Sequence, residues 1–165
     1  SFAGIMLVRY KAVADKFYEA IDWDLLGFFA ALFVVINVME HALVLQLIGT
    51  GLSTIIDAPP DIAAAGLLVV SALFSSVTDN IPLAAMLAKI LQARDHVPEQ
   101  LWWSVIFGAN LGGNLTPIGS ASTLVAVTII HKYKINLSFA GFIRKALPYA
   151  LVHIALAIIY VLLFF

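Results

Sequence analysis

Two polar interruptions inside long apolar segments decide what this chain can fold into. The first is Ser75-Ser76-Val77-Thr78-Asp79-Asn80-Ile81-Pro82. The second runs from Gly108 to Thr123 and sets Gly108, Gly112, Gly113, Gly119 and Pro117 among asparagines, serines and threonines. With 62% hydrophobic and 12% charged residues, the surrounding sequence is that of an integral membrane protein. Hydrocarbon offers no partner to a free backbone N–H or C=O. Irregular backbone at that depth is therefore tolerated only where protein or a water-filled cavity surrounds it. Both stretches read as the lining of a site.

The flanking segments follow from length and punctuation. The chain opens on serine, and its apolar residues 2–8 are too short to span, so an upstream segment is expected to have been cut or lost. Residues 9–22 alternate faces at helical spacing and predict an interfacial arm helix. Residues 24–48 predict a span, with Trp23 at the interface and Gly49-Thr50-Gly51 as its end. Residues 62–94 divide into two apolar arms around the first interruption. Each arm is about 20 Å long as helix, short of a hydrocarbon core about 30 Å thick. That predicts a re-entrant hairpin, with Pro82 in the first turn of the second arm. Residues 101–131 predict a broken span whose second half-helix opens at Thr116-Pro117 and covers 118–131. Residues 136–145 predict an interfacial segment, and 146–165 the last span. The fold class is all-α.

Charge assigns the sides. In this topology Arg9, Lys11, Lys16, Lys132, Lys134, Arg144 and Lys145 share one side, and Lys89 and Arg94 the other. The first side is then cytoplasmic, and the C-terminus ends outside. A prokaryotic inner membrane is the expected location.

Asp79 is the sharpest candidate residue. A lone carboxylate at hairpin depth is a functional hypothesis by default. It reads as a carrier of protons or a ligand of a cation, against the plainer reading of a helix cap. Ser76, Thr78 and Asn80 add oxygen donors at the hairpin tip, and Asn80 adjoins a helix N-terminus that favours anions. At the second interruption the candidates are Asn110, Gly113, Asn114, Thr116, Ser120, Ser122 and Thr123. The last three also suit close helix packing. A sodium ion would find oxygens at Thr78, Asp79, Asn80 and Asn114; no other metal or cofactor is expected. Glu40 and His41 read as snorkelling to the interface, and His153 as a packed, hydrogen-bonded histidine.

The tip Ser-x-x-Thr-Asp-Asn-Ile-Pro and the stretch Gly-Ala-Asn-Leu-Gly-Gly-Asn-x-Thr-Pro-Ile-Gly-Ser-Ala-Ser-Thr resemble the ion transporter superfamily. That group holds arsenite permeases, D-type sodium/proton antiporters, the melanosomal P-protein group and the divalent anion/sodium symporters. The Gly-rich stretch is more like the arsenite permeases; the Asp-Asn-Ile-Pro tip is more like the antiporters and the P-protein group. The segment Asp22-Trp23-Asp24-Leu25-Leu26-Gly27-Phe28-Phe29 resembles the start of these families' second half. The resemblance implies two inverted repeats, of which this chain matches the second. It also implies a homodimer and a partner N-terminal half.

Other function classes fare poorly. A net charge of −1 gives no reason to expect nucleic-acid binding, and the absence of cysteine excludes disulfides and thiolate metal sites. No HExxH, Gly-x-Ser-x-Gly or phosphate loop supports an enzyme. The expected function is secondary active transport of an inorganic ion, with sodium/proton antiport first. An arsenite or carboxylate anion permease is the alternative within the class, and a non-transporting accessory subunit the alternative outside it.

Overall fold

The computed structural model describes residues 23–165, so the arm expected over 9–22 lies outside the described residues. Seven helices and no strand occur among them: α1 (Trp23–His41), α2 (Val44–Ile56), α3 (Pro60–Ser75), α4 (Asn80–Gln92), α5 (Glu99–Gly112), α6 (Ala121–Lys132) and α7 (Phe139–Phe164). The all-α class is thus the observed one. Contacts divide the chain into two units, up to Asn37 and from Val38. The described part of the first unit is the opening of α1, where Trp23, Leu26, Phe33, Val34 and Val35 are exposed. The remaining elements belong to the second unit.

Local chemistry sets most helix ends. Pro60 opens α3 at a position where a missing N–H costs nothing, with Asp61 in the first turn. Pro59 is the residue before the first turn. Asp79 caps α4, accepting from Ile81 N at 3.2 Å. Ser138 caps α7 through Gly141 N at 3.1 Å.

Three segments differ from the sequence expectation. The run expected as one span over 24–48 is broken after His41, where Leu43 adopts the left-handed region at φ 60°. α2 then continues through Gly49 and Gly51 to Ile56. Gly49 is buried where a Cβ would lie 3.2 Å from Ile90 Cγ2, so it serves the close approach of α2 to α4 and does not end a helix. The segments expected over 136–145 and 146–165 form one 26-residue helix that passes through Pro148. At about 39 Å it is long enough to cross a hydrocarbon core. The second half-helix after the break starts at Ala121, later than Pro117 suggested. Ser120 and Thr123 form a reciprocal capping box there and fix the start.

The packing centres on α3 and α5, which run parallel and end at the two interruptions. Gly108 and Gly112 face α3 so closely that a Cβ on Gly108 would lie 2.6 Å from Ser71 Cβ, and one on Gly112 would overlap the backbone of Ala72. This is the small-residue contact that lets helices approach in lipid. α7 runs antiparallel to α5. Ala64, Leu68, Ala157 and Val161 form a core, with Trp103, Phe107, Leu111, Ile154 and Ile158 packed on it. Trp103 stacks on Phe165, with centroids 4.9 Å apart.

Candidate functional site

The hairpin tip is the linker from α3 to α4, and the helix break is the linker from α5 to α6. Because α3 and α5 lie side by side in the same direction, their C-terminal ends deliver both linkers to one place. Cross-links then join them. Ser75, fully buried, donates to Ala109 O at 2.5 Å. Thr116, 7% exposed, donates to Ser76 O. Asn80 Nδ2 approaches Asn110 Oδ1 at 3.5 Å. Gly119 presses on both segments: a Cβ there would lie 2.7 Å from Gly113 O and 3.0 Å from Ser75 O. Gly113 is buried beside Gly119 O and Ser75 Oγ, which leaves little room for a side chain.

The remaining candidates bond nearer home. Ser76 donates to Leu73 O at 2.6 Å, and Thr78 to Phe74 O at 2.8 Å, so both hydroxyls cover carbonyls at the end of α3. Asp79 Oδ1 is engaged by the first turn of α4. Asn110 Nδ2 donates to Ile106 O at 2.7 Å. Asn114 Nδ2 donates to Asn110 O at 3.3 Å and lines a cavity against α7. Ser120 contacts Ser122 Oγ at 2.9 Å and Thr123 Oγ1 at 3.1 Å; these three hydroxyls organise the start of α6. Of the four residues expected to offer oxygens to sodium, Thr78, Asp79 and Asn80 are consecutive at the tip, and Asn114 belongs to the break.

Ser75, which makes one of these cross-links, is not among the candidates read from the sequence, and neither is Ser71. Ser71 is fully buried, and its hydroxyl has no hydrogen-bond partner among the described residues. The signal was present: Ser71 and Ser75 repeat at i, i+4, as do Gly108 and Gly112 opposite them. Matched small-residue pairs of that spacing mark a helix seam.

A second feature lies at the other end of the hairpin. Glu40 pairs with Lys89 at 3.2 Å, and Asp57, the C-cap of α2, pairs with Arg94. The two pairs tie the end of α1 and the end of α2 to the end of α4 around a cavity of about 490 Å3, with Gln46, Thr50 and Ser53 on its wall. Glu40, read from sequence as snorkelling, has an ion-pair partner; its side chain is about half exposed.

Comparison with known proteins adds the following. The family model described as citrate transporter (CitMHS) matches residues 1–108. The chain is 32% identical, over 96% of its length, to the 46 kDa membrane protein of Mycobacterium leprae, covering 38% of that protein. It is 35% identical to the P protein of Homo sapiens over 86% of its length, covering 18% of that protein. An uncharacterized transporter of Mycobacterium tuberculosis is 30% identical over 96% of the chain, with 38% of the relative covered. The chain thus spans well under half the length of these relatives. No solved structure matches it.

Proposed function

The chain belongs to the citrate transporter family of integral membrane transporters, and from that premise we propose that it forms one half of a cation-coupled secondary transporter. The site is the joined hairpin tip and helix break. The observation that carries this reading is the set of cross-links from Ser75, Ser76 and Asn80 to Ala109, Thr116 and Asn110. Half-helix ends and unwound backbone brought together in this way offer what an ion needs when it sheds water. The capping bond of Asp79 bears on the sign of the ion. Its carboxylate already answers the positive end of α4, so the tip favours a cation over a further anion. Sodium or a proton is the coupling ion, with Thr78, Asp79, Asn80 and Asn114 as its oxygen donors. Sodium/proton antiport is the activity.

The second reading is favoured by the family's own description. A citrate-class carboxylate is then the substrate, and sodium or a proton the co-ion. In either case the chain works with a matching half, as a homodimer, in an inner membrane with its Lys/Arg-rich loops cytoplasmic.

The test uses inside-out vesicles containing the transporter that carries this chain, with a dye reporting internal pH. Sodium, arsenite and citrate are added in turn, each beside an Asp79→Asn variant. Sodium is expected to collapse the gradient in the wild type and to lose that effect in the variant. A response to citrate without one to sodium would replace antiport by the carboxylate reading. Unchanged coupling in Asp79→Asn would remove Asp79 from the mechanism.

A further inference from the structure

The two ion pairs at the far end of the hairpin frame more than a clasp requires. Glu40 meets Lys89 in the last turn of α4, and Asp57 meets Arg94 just beyond that turn. Between them lies the cavity of about 490 Å3. Small-molecule sites occupy about 300–1,000 Å3. The walls of this one differ in hydrogen-bonding character. On the α4 side, Lys89 and Arg94 line it with groups that only donate. Arg94 gives Nη1 to Asp57, so its Nε and Nη2 hydrogens remain as donors among the described residues. Lys89 Nζ engages Glu40 at 3.2 Å and has further hydrogens to give.

The side formed by α1 and α2 is the reverse. The Glu40 carboxylate accepts, and Lys89 takes only its Oε2. Thr50 donates to Gln46 O at 2.9 Å, and Ser53 to Thr50 O at 2.8 Å. A carbonyl only accepts, so both hydroxyl hydrogens are committed, and these oxygens can only accept from the cavity. Charge is balanced as well, since Glu40 and Asp57 offset Lys89 and Arg94. A simple anion would meet Glu40, and a simple cation would meet Lys89. A zwitterion answers both, with its anionic oxygens toward α4 and a primary ammonium toward α2.

Place says which zwitterion. Arg94-Asp95-His96 follows α4, with Asp95 and His96 exposed; charges of this kind are costly in hydrocarbon and belong at its boundary, where lipid headgroups lie. Leu43, on the cavity wall, is 63% exposed, and Leu47, one turn on, is 74% exposed. An apolar surface thus leads away from the polar walls, as acyl chains require. We infer that this cavity binds the phosphoethanolamine headgroup of a membrane phospholipid. The phosphate accepts from Lys89 and Arg94, the latter a good match for phosphate oxygens. The ammonium donates to Glu40, Thr50 and Ser53. A choline headgroup has no N–H to give and is disfavoured. The bound headgroup bridges α2 and α4 at the end of α4 away from the tip, whichever ion the transporter carries.

The test is native mass spectrometry of the transporter that carries this chain, offered phosphatidylethanolamine, phosphatidylcholine and phosphatidylglycerol with the same acyl chains. Phosphatidylethanolamine is expected to bind about 10-fold more tightly than either of the others, the worth of one charge-assisted hydrogen bond. The double variant Glu40→Gln, Lys89→Gln is expected to erase that preference. Thr50→Val keeps both ion pairs and is expected to weaken it about 5-fold, so the test stands even if the double variant fails to fold. Equal binding of the three lipids, a preference for phosphatidylglycerol, or a preference untouched by Thr50→Val overturns the inference. Soluble phosphoethanolamine or glycine binding as tightly as the lipid would give the cavity to a soluble zwitterion and overturn the lipid assignment. Inorganic phosphate binding as tightly would mark a plain anion site and overturn it too.

Discussion

Ser71 and Ser75 lie one turn apart on α3, both fully buried, yet their hydroxyls have opposite standing. Ser75 reaches the Ala109 carbonyl, whereas Ser71 Oγ has no partner among the described residues. A net hydrogen bond is worth about 0.5–1.5 kcal/mol, while an unsatisfied buried group costs about 1–3 kcal/mol. Ser75→Ala is therefore expected to destabilise the chain by about 1 kcal/mol, and Ser71→Ala to leave it unchanged or more stable. Chemical unfolding in detergent checks both. Thr116→Ala, which frees Ser76 O, is expected to resemble Ser75→Ala. Sequence shows which residues carry hydroxyls but not which carbonyl each will find. That is why Asp79, Asn80, Asn114 and Thr116 were legible as a polar set, while the part Ser75 plays in joining the two segments was not. Asp79 illustrates the other limit: capping and ion binding call for the same carboxylate at the same position, and only geometry shows the cap.

The helix ends at the two polar interruptions were legible at the scale of elements because proline, glycine and capping side chains mark them. The break between α1 and α2 was not. Glu40-His41-Ala42-Leu43 contains neither glycine nor proline, and Leu43 takes a left-handed conformation that nothing in its own chemistry favours. The joining of 136–145 to the last span escaped notice because Arg144 and Lys145 look like an interface, whereas Ser138 caps a helix that continues through them. Two predictions belong here. Gly112→Ala drives a Cβ into the backbone of Ala72, which cannot swing aside as a side chain can, and is expected to cost at least about 3 kcal/mol or to prevent folding. Gly51→Ala, with open space around the new methyl, is the matched control and is expected to be tolerated. Removing the Ser120 cap by alanine is expected to cost about 1 kcal/mol and to loosen the start of α6, read as faster amide exchange at Ser122 and Thr123.

For the molecule as a whole, the apolar side chains left exposed, among them Leu47, Tyr149 and Leu163, are too many for a soluble surface and suit lipid or further protein. The chain has no cysteine, so single cysteines can be placed without background. If α7 crosses the bilayer, Lys134→Cys and Phe165→Cys are expected to react with an impermeant reagent from opposite sides, Lys134 from the cytoplasmic side in the proposed orientation. Labelling of both from one side would contradict the spanning arrangement. The contact between α3 and α5 has a mechanical consequence. Helices that touch through backbone atoms cannot slip past each other by a fraction of a turn without collision, since close-packed interiors have little free volume. The tip and the break are thus welded into one stiff piece. In the proposed transporter, prising them apart would have to break this contact, so the two segments are expected to move together and the flexing to fall elsewhere.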